Sequence, residues 1–468
     1  MTSTILPQIQ IETPQMMVGE KSVDLSDHYP ISMTVDGKKI ISYNVQLMHT
    51  FLTKTKTTPE ERQNTIDAIA AYFDKSGADL CCVQELFDND ANQALEKAML
   101  RYGYHATKRL DRGTPVSMFN GGVRCFVRNI DDDFFETKMY FYEHKIDYLI
   151  GGDATANKGV EQISFRTEGK KFHVFNTHLQ AYYPERDHYS EVALAQCIEL
   201  KNMIEKQMED GTIGPDDRVI LCGDFNIPKP HSAEEETFFY TKMRHIMGQK
   251  FTLLDYADAT QHTRSLTNTH NCDEPKSNDN DVNLDLGILY TPNKKHTSTE
   301  LRLSEIYTNI QESMADFVEK KATLFSVWLL YDEHKAELLT FNTSFEKIMK
   351  QADTLLLKGK NPLESRRWRK EVEELRLNIH QANHKVTSTK RNVGGAAISA
   401  SLLFFVPPAG ILYAILSLAY FAIMIIFGLI QSRKPLKPLD LQTDRFFSHQ
   451  QKPSKGQSPP MEPAAQPS

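Results

Sequence analysis

The 468-residue chain has no C-x-x-C pair, no basic excess and no apolar leader, and each absence excludes a class of protein. Its six cysteines (Cys81, Cys82, Cys125, Cys197, Cys222 and Cys272) are too scattered for a zinc site or a disulfide frame. They read as reduced, buried thiols of an intracellular protein. With 61 acidic residues against 54 basic ones, the net charge is −7. A dedicated nucleic-acid binder normally carries the opposite footprint, because phosphate contacts need lysine and arginine. The start, Met1-Thr2-Ser3-Thr4-Ile5-Leu6-Pro7, lacks both the basic and the apolar region of a conventional secretory signal. A mean hydropathy of −0.45 argues against a polytopic membrane protein. A charged fraction of 25% argues against wholesale disorder.

What is present is unevenly distributed. Residues 1–22 are polar and aperiodic, and read as a flexible lead. From 23 to 305, short β-rich runs alternate with amphipathic stretches. Strands are expected at Ile31–Val35, Lys39–Val45, Leu80–Gln84, Gly122–Val127, Glu161–Arg166, Phe172–Asn176, Val219–Cys222 and Leu284–Tyr290. Helices are expected at Pro59–Lys75, Asn89–Tyr102 and Glu191–Glu209. Such mixing implies a layered α/β domain. Between the first two strands stands Asp36-Gly37, a dipeptide that supplies the positive φ angles of a tight type I′ hairpin.

From 306 to 390 the pattern is helical. Ile306, Ile310, Met314 and Phe317 form one stripe, and Phe345, Ile348, Ala352 and Leu355 another. Gly359-Lys360-Asn361-Pro362 breaks the run. Trp368, Val372, Leu375, Ile379, Ala382 and Val386 then alternate spacings of four and three, a seam too short for a free coiled coil and better suited to a packed helical hairpin. This region reads as a connector. Between Arg391 and Arg433 there is no charged residue, and Ile411 to Ile430 is almost wholly apolar, about the 20 residues that a bilayer span needs. Segment 392–432 is therefore expected to be a membrane anchor, either a re-entrant hairpin or a single span. Basic residues on both sides favour the hairpin with both ends cytosolic. The Pro- and Ser-rich stretch 433–468 reads as a disordered tail.

Several short segments of the α/β region set acids, amides and histidines beside β-rich runs. They are Ser26-Asp27-His28-Tyr29-Pro30, Ser42-Tyr43-Asn44-Val45, Val83-Gln84-Glu85, Asn176-Thr177-His178-Leu179-Gln180-Ala181, Cys222-Gly223-Asp224-Phe225-Asn226 and Asn283-Leu284-Asp285-Leu286-Gly287. Singly, each is an ordinary turn or cap. Together they resemble the endonuclease/exonuclease/phosphatase superfamily. The longer stretches Gln84-Glu85-Leu86-Phe87-Asp88-Asn89 and Asn157-Lys158-Gly159-Val160 resemble its neutral, Mg²⁺-dependent sphingomyelinases of bacterial type. The resemblance covers residues 23–300 and implies an α/β, four-layer DNase I-like sandwich, two mixed β-sheets flanked by helices, here followed by the helical region and the membrane segment.

One departure is large. The family's Ser-Asp-His element closes the domain, whereas here it opens it, and no second such element follows Asp285. The Asp36-Gly37 turn supplies a way to join the family's last and first strands, so the domain is expected to be a circular permutant. Asn283 stands where the family has an arginine or a similar residue.

The resemblance implies roles for these residues. Glu85 and Asn44 would hold Mg²⁺, with Mn²⁺ or Co²⁺ as substitutes, and Asp27 would join or support that shell. His28 would be the general base and Asp285 its orienting partner. Asp224 and Asn226 would position the nucleophile and a phosphoryl oxygen, and His178 would donate to the charge growing on phosphate. Lys158 reads either as a phosphate or headgroup contact or as a solvated loop lysine. Tyr182-Tyr183-Pro184 reads either as interfacial aromatics or as packing residues. His188, His231, His245 and His262 match no motif and read as structural or surface residues.

The implied function is hydrolysis of sphingomyelin to ceramide and phosphocholine, by an enzyme anchored to a lipid bilayer and taking no nucleic-acid partner. The catalytic domain would face the cytosol, and delivery to a host cell as an effector would need no cleavable signal. The alternatives are the same chemistry on another phospholipid or phosphoinositide, an anchored nuclease, and a non-catalytic scaffold. The nuclease conflicts with the acidic balance. The scaffold conflicts with an intact set of site residues.

Overall fold

The computed structural model describes residues 7–18, 21–48, 58–108, 122–128, 135–144, 158–181, 187–229, 238–248, 250–258, 261–264, 283–290, 298–322 and 327–383. Its strands form two six-stranded sheets and a small hairpin. The first sheet has the order β1-β4-β5-β6-β8-β7, from Gln10–Ile11 (β1), Ile31–Val35 (β4), Lys38–Asn44 (β5), Leu80–Gln84 (β6), His105–Ala106 (β7) and Arg124–Val127 (β8). Gln15–Val18 (β2) and Lys21–Asp24 (β3) make the separate hairpin. The second sheet has the order β13-β14-β12-β11-β10-β9, from Phe135–Phe141 (β9), Gly159–Thr167 (β10), Lys170–His178 (β11), Arg218–Lys229 (β12), Phe251–Leu253 (β13) and Asn283–Tyr290 (β14). Both sheets are mixed: β5 runs parallel to β6 and β11 parallel to β12, while the other pairs are antiparallel.

Strand periodicity creates the layers. Successive side chains point to opposite faces, so along β6 Leu80 and Cys82 face one core while Cys81 and Val83 face another. The middle core lies between the sheets, where Ile31, Met33 and Leu80 meet Ile163, Val174 and Ile220. There Phe165 and Phe172 stack with centroids 5.1 Å apart. The outer face of the first sheet is covered by Pro59–Ser76 (α1) and Asn89–Leu100 (α2), through Ile66, Phe73, Leu95 and Met99. α1 starts where Thr58 and Glu61 form a reciprocal capping box and stops at Gly77, which takes the left-handed conformation of a C-terminal cap.

The outer face of the second sheet packs against Asp187–Glu209 (α3) and Phe238–Met247 (α4), joined by Ser298–Ala322 (α5), Val327–Leu357 (α6) and a helix over 366–383 (α7). Phe175 and Leu221 share one cluster with Leu194, Ile310, Phe345 and Trp368. Helix α5 begins at Ser298, ahead of the expected 306, and the described part of the connector belongs to the same compact unit as the sheets, Met1–Thr387. The apolar stripes at 306–314, 345–355 and 368–382 were legible; what they pack against was not.

A buried ion pair ties this helical layer together. Lys242 of α4 bonds both Glu191 oxygens of α3, at 2.8 and 3.0 Å, and Asn342 Oδ1 of α6 at 2.9 Å, while Gln311 of α5 donates to Glu191. Both charged side chains are wholly inaccessible. Glu191→Ala strips the counter-charge from a buried ammonium and is expected to destabilise the protein by about 3–5 kcal/mol. Glu191→Leu combined with Lys242→Met should recover most of that loss. Thermal unfolding midpoints of the two variants check this, and equal losses in both would contradict it.

The first residues depart from the expected loose lead. β1 pairs with β4, and Ile9 is fully buried between backbone bonds to Asp255 and Ala257. A two-residue strand carries too little periodicity to announce itself. β9 and α4 were also unmarked: β9 is a half-exposed edge strand, and α4 is short and follows a polar run. Among the described residues no helix is long and apolar enough to cross a membrane. The expected anchor, 392–432, and the tail, 433–468, lie outside the described residues.

Candidate active site

The strand registers align the chemistry along one edge of the sandwich. In the second sheet His178 of β11 is the register partner of Asp224 of β12, which is in turn the partner of Asp285 of β14. In the first sheet Asn44 of β5 is level with Gln84 of β6, and Glu85 follows directly. The sheets are stitched together under this edge: Gln84 Nε2 donates to Asn176 Oδ1 at 2.7 Å, and Asn176 Nδ2 donates to the Val83 and Arg124 carbonyls. His28 enters from the turn between β3 and β4. Asp27, His28, Asn44, His178, Asp224, Asn226 and Asp285 are all buried, and Glu85 keeps 19% of its side chain exposed.

The backbone is unusual here. Gln46, Glu85 and Asn226 take positive φ values of 49°, 57° and 52°, a left-handed region that non-glycine residues avoid and that collects at functional sites. Gly223, at φ 141°, lets β12 pass against β11; a Cβ there would lie 1.9 Å from the Thr177 carbonyl oxygen. Gly223→Ala should therefore part β11 from β12 beside His178 and Asp224. The expected cost is at least about 3 kcal/mol, measurable as a lowered unfolding midpoint, and an unchanged midpoint would refute it.

Two constellations share Asp224. In one, His28 Nδ1 lies 2.8 Å from Asp285 Oδ2, and His28 Nε2 lies 3.9 Å from Asp224 Oδ2. In the other, His178 Nε2 lies 3.8 Å from both Glu85 Oε1 and Asp224 Oδ2. Asn44 Nδ2 donates to Asp224 Oδ2 at 2.9 Å, and the Asn226 backbone N–H donates to Asp224 Oδ1 at 2.9 Å. Lys158 is 3% exposed, with Nζ 2.9 Å from His178 Nε2. Burial on the ring excludes the solvated-loop alternative for this lysine. Phe87 backs the same ring with centroids 6.0 Å apart.

Electrostatics separate the two histidines. Burial opposes a charge on His28, but the carboxylates of Asp285, Asp224 and Asp27 outweigh it and push its pKa up to about 10. Burial, reinforced by Lys158 and His28, pushes His178 well below the ordinary imidazole value. Burial and the neighbouring Asp27 push Glu85 up to about 7 against the pull of His28 and Lys158, and burial raises Asp224 to about 6. One histidine therefore holds a proton between carboxylates while the other stays neutral beside an ammonium.

This donor set fits a hard divalent cation. Glu85, His178 and Asp224 each offer an atom within 4.8 Å of the others, as do His28, Asp224 and Asp285. Four carboxylates crowd one buried region, and Asp285 Oδ1 has no hydrogen-bond partner among the described residues. Partly exposed carboxylate oxygen is what Mg²⁺ takes while keeping waters and phosphate.

Of the residues expected from sequence, the structure brings together Asp27, His28, Asn44, Glu85, Lys158, His178, Asp224, Asn226 and Asp285. His245 instead bonds the Thr241 carbonyl and faces Asp353 at 3.3 Å, a helix-packing role. Tyr182, Tyr183, Pro184 and His231 lie outside the described residues. Sequence reasoning missed Phe87 as a neighbour of His178, since nothing in a single aromatic residue marks which ring it touches.

Residues 41–272 match the model of the Endonuclease/Exonuclease/phosphatase family. Over 218 residues the chain is 28% identical to sphingomyelinase C 1 of Leptospira interrogans, covering 43% of this chain and 34% of that relative. Over 207 residues it is 25% identical to sphingomyelinase C 2 of the same species, covering 41% of this chain and 31% of the relative. The chain thus matches about a third of the length of these curated relatives. Among solved structures, sphingomyelinase C from Streptomyces griseocarneus is similar with a TM-score of 0.42 at 20% identity, over 55% of this chain and 84% of that one. A beta toxin mutant of Staphylococcus aureus with bound magnesium ions has a TM-score of 0.44 at 20% identity, over 55% and 85%.

Proposed function

The chain belongs to the endonuclease/exonuclease/phosphatase family, and from that premise we propose that it is a Mg²⁺-dependent phosphodiesterase that hydrolyses sphingomyelin to ceramide and phosphocholine. The observation that carries the chemistry is the His28–Asp285 pair at 2.8 Å, set beside the Glu85, Asn44 and Asp224 cluster. Asp285 engages Nδ1 of His28, so Nε2 is the nitrogen that takes a proton from the attacking water. Asn226 and Asp224 orient that water and one phosphoryl oxygen. Lys158 and His178 lie on the other side of Asp224 and supply N–H groups to the oxygens on which charge grows. A Mg²⁺ ion held by Glu85 and Asn44 would offset the carboxylate field that keeps His28 protonated and would supply positive charge to the phosphate.

Sphingomyelin is favoured over other lipids by the sphingomyelinase relatives. A circularly permuted domain accounts for a base that enters ahead of β5 through the β4–β5 hairpin, whose turn residues Asp36 and Gly37 take φ values of 47° and 82°. The 392–432 segment would hold the site at a bilayer, with the catalytic domain on the cytosolic side. The test is release of phosphocholine from sphingomyelin vesicles by the full chain, with and without Mg²⁺. Release only with Mg²⁺ supports the reading. No release, with hydrolysis of a phosphoinositide or another phospholipid, would reassign the substrate.

A further inference from the structure

Asp285 has an anchoring problem. Its Oδ2 faces His28, but among the described residues its buried Oδ1 has no hydrogen-bond partner, so no second bond from them fixes the carboxylate's aim. The carboxylate must be aimed from the main chain. That main chain crosses an irregularity in its ladder, because the β12–β14 register shifts between Asp224↔Asp285 and Lys229↔Asn283.

Thr263, fully buried in the segment 261–264, meets both sides of the problem. Its hydroxyl oxygen accepts the N–H of Leu284 at 2.9 Å and of Asp285 at 3.3 Å. Its carbonyl accepts the N–H of Tyr29, next to His28, at 2.6 Å. Its own N–H donates to Asn283 Oδ1 at 2.9 Å. A single residue thus holds the turn that bears His28 and the strand that bears Asp285, parts of the chain 257 positions apart. The Tyr256 hydroxyl also donates to the Asp285 carbonyl.

We propose that Thr263, supported by Asn283, is the positioning residue that aligns the His28–Asp285 pair for proton transfer. This rests on the reading of His28 as the general base. The hydroxyl acts as an acceptor for two strand N–H groups beside the irregularity in the ladder.

The test compares full-length Thr263→Val, which removes the acceptor and keeps the shape, with Thr263→Ser, which restores the oxygen. Thr263→Val should lower kcat about 10²-fold with KM little changed, and Thr263→Ser should recover most of it. In a His28→Gln background Thr263→Val should have little further effect, because both changes act on one proton transfer. An activity-independent readout is the downfield ring N–H proton resonance of His28 bonded to Asp285, assigned by its loss in His28→Gln. It should vanish in Thr263→Val and persist in Thr263→Ser. Equal losses in both backgrounds, or a resonance and kcat unchanged in Thr263→Val, would overturn the proposal. Should the wild type hydrolyse no phosphodiester, the functional reading fails, and the resonance alone decides the positioning role. If Thr263→Val does not fold, Asn283→Ala removes the acceptor of the Thr263 N–H instead. A weakened resonance there supports the clamp, and an unchanged one overturns it.

Discussion

His28→Gln is expected to lower kcat for phosphodiester hydrolysis by about 10³-fold, within the range of a positioned general base, while the thermal unfolding midpoint stays close to that of the wild type. Glutamine is the informative replacement. His28 is the counter-charge and donor to a buried carboxylate, so alanine would leave Asp285 facing a void and confuse lost chemistry with lost stability. The glutamine amide can still donate to Asp285, but it cannot take a proton from water. Asp285→Asn should cost about 10²-fold, since it removes the group that orients the ring. A His28→Gln enzyme retaining a tenth of wild-type kcat would remove His28 from the reaction.

Glu85→Gln is expected to cost a similar factor, about 10³ in kcat/KM, equivalent to about 4 kcal/mol of transition-state stabilisation. A measurement independent of activity accompanies it. In wild-type protein, Mg²⁺ at a hundred times its dissociation constant should raise stability by about 2.7 kcal/mol, and in Glu85→Gln the gain should nearly disappear. Without metal the order should reverse. Burial and Asp27 hold the Glu85 pKa at about 7, above the ordinary 4.5, so the folded protein keeps a proton that the unfolded chain has lost. Metal-free wild type should therefore lose stability as pH rises from about 4.5 to about 7, because the unfolded state binds fewer protons in that window. Glutamine has no proton to lose, so that component of the slope is absent in the variant. Unfolding midpoints at pH 5 and pH 8, with EDTA and with Mg²⁺, test all three statements. A wild-type midpoint indifferent to Mg²⁺ would sink the assignment.

Much of the sandwich was legible because its strands are short apolar runs closed by turn residues. Ile31–Val35 and Leu80–Gln84 appear with the expected bounds, and Asp36-Gly37 joins β4 to β5 as its φ-permissive residues require. The site was legible through the joint resemblance of its short motifs to one superfamily, since each motif alone reads as a turn or a cap. Asn44 and His178 end β5 and β11 and Glu85 follows β6, whereas Asp224 lies inside β12. What stayed hidden depends on partners distant in sequence. Lys158 read equally as a phosphate or headgroup contact and as a solvated loop lysine, and only the pairing of β10 with β11, which brings it to His178, separates the two. Thr263 works through its carbonyl and a hydroxyl acceptor, and neither carries a compositional signal. Ile9 stands among polar neighbours, and its burial follows from backbone bonds to Asp255 and Ala257, which are distant in sequence.

The separation of His28 from Asp285 also has a consequence in time. During synthesis the residue read as the base emerges first, and its partner follows 257 positions later, after Glu85, His178 and Asp224 have all left the ribosome. A nascent chain halted before β14 carries most of the acid-rich edge but lacks the carboxylate that orients the histidine ring. Joining the two ends requires closing a very long loop, a late step in folding. The pair therefore forms only once β14 has joined the second sheet.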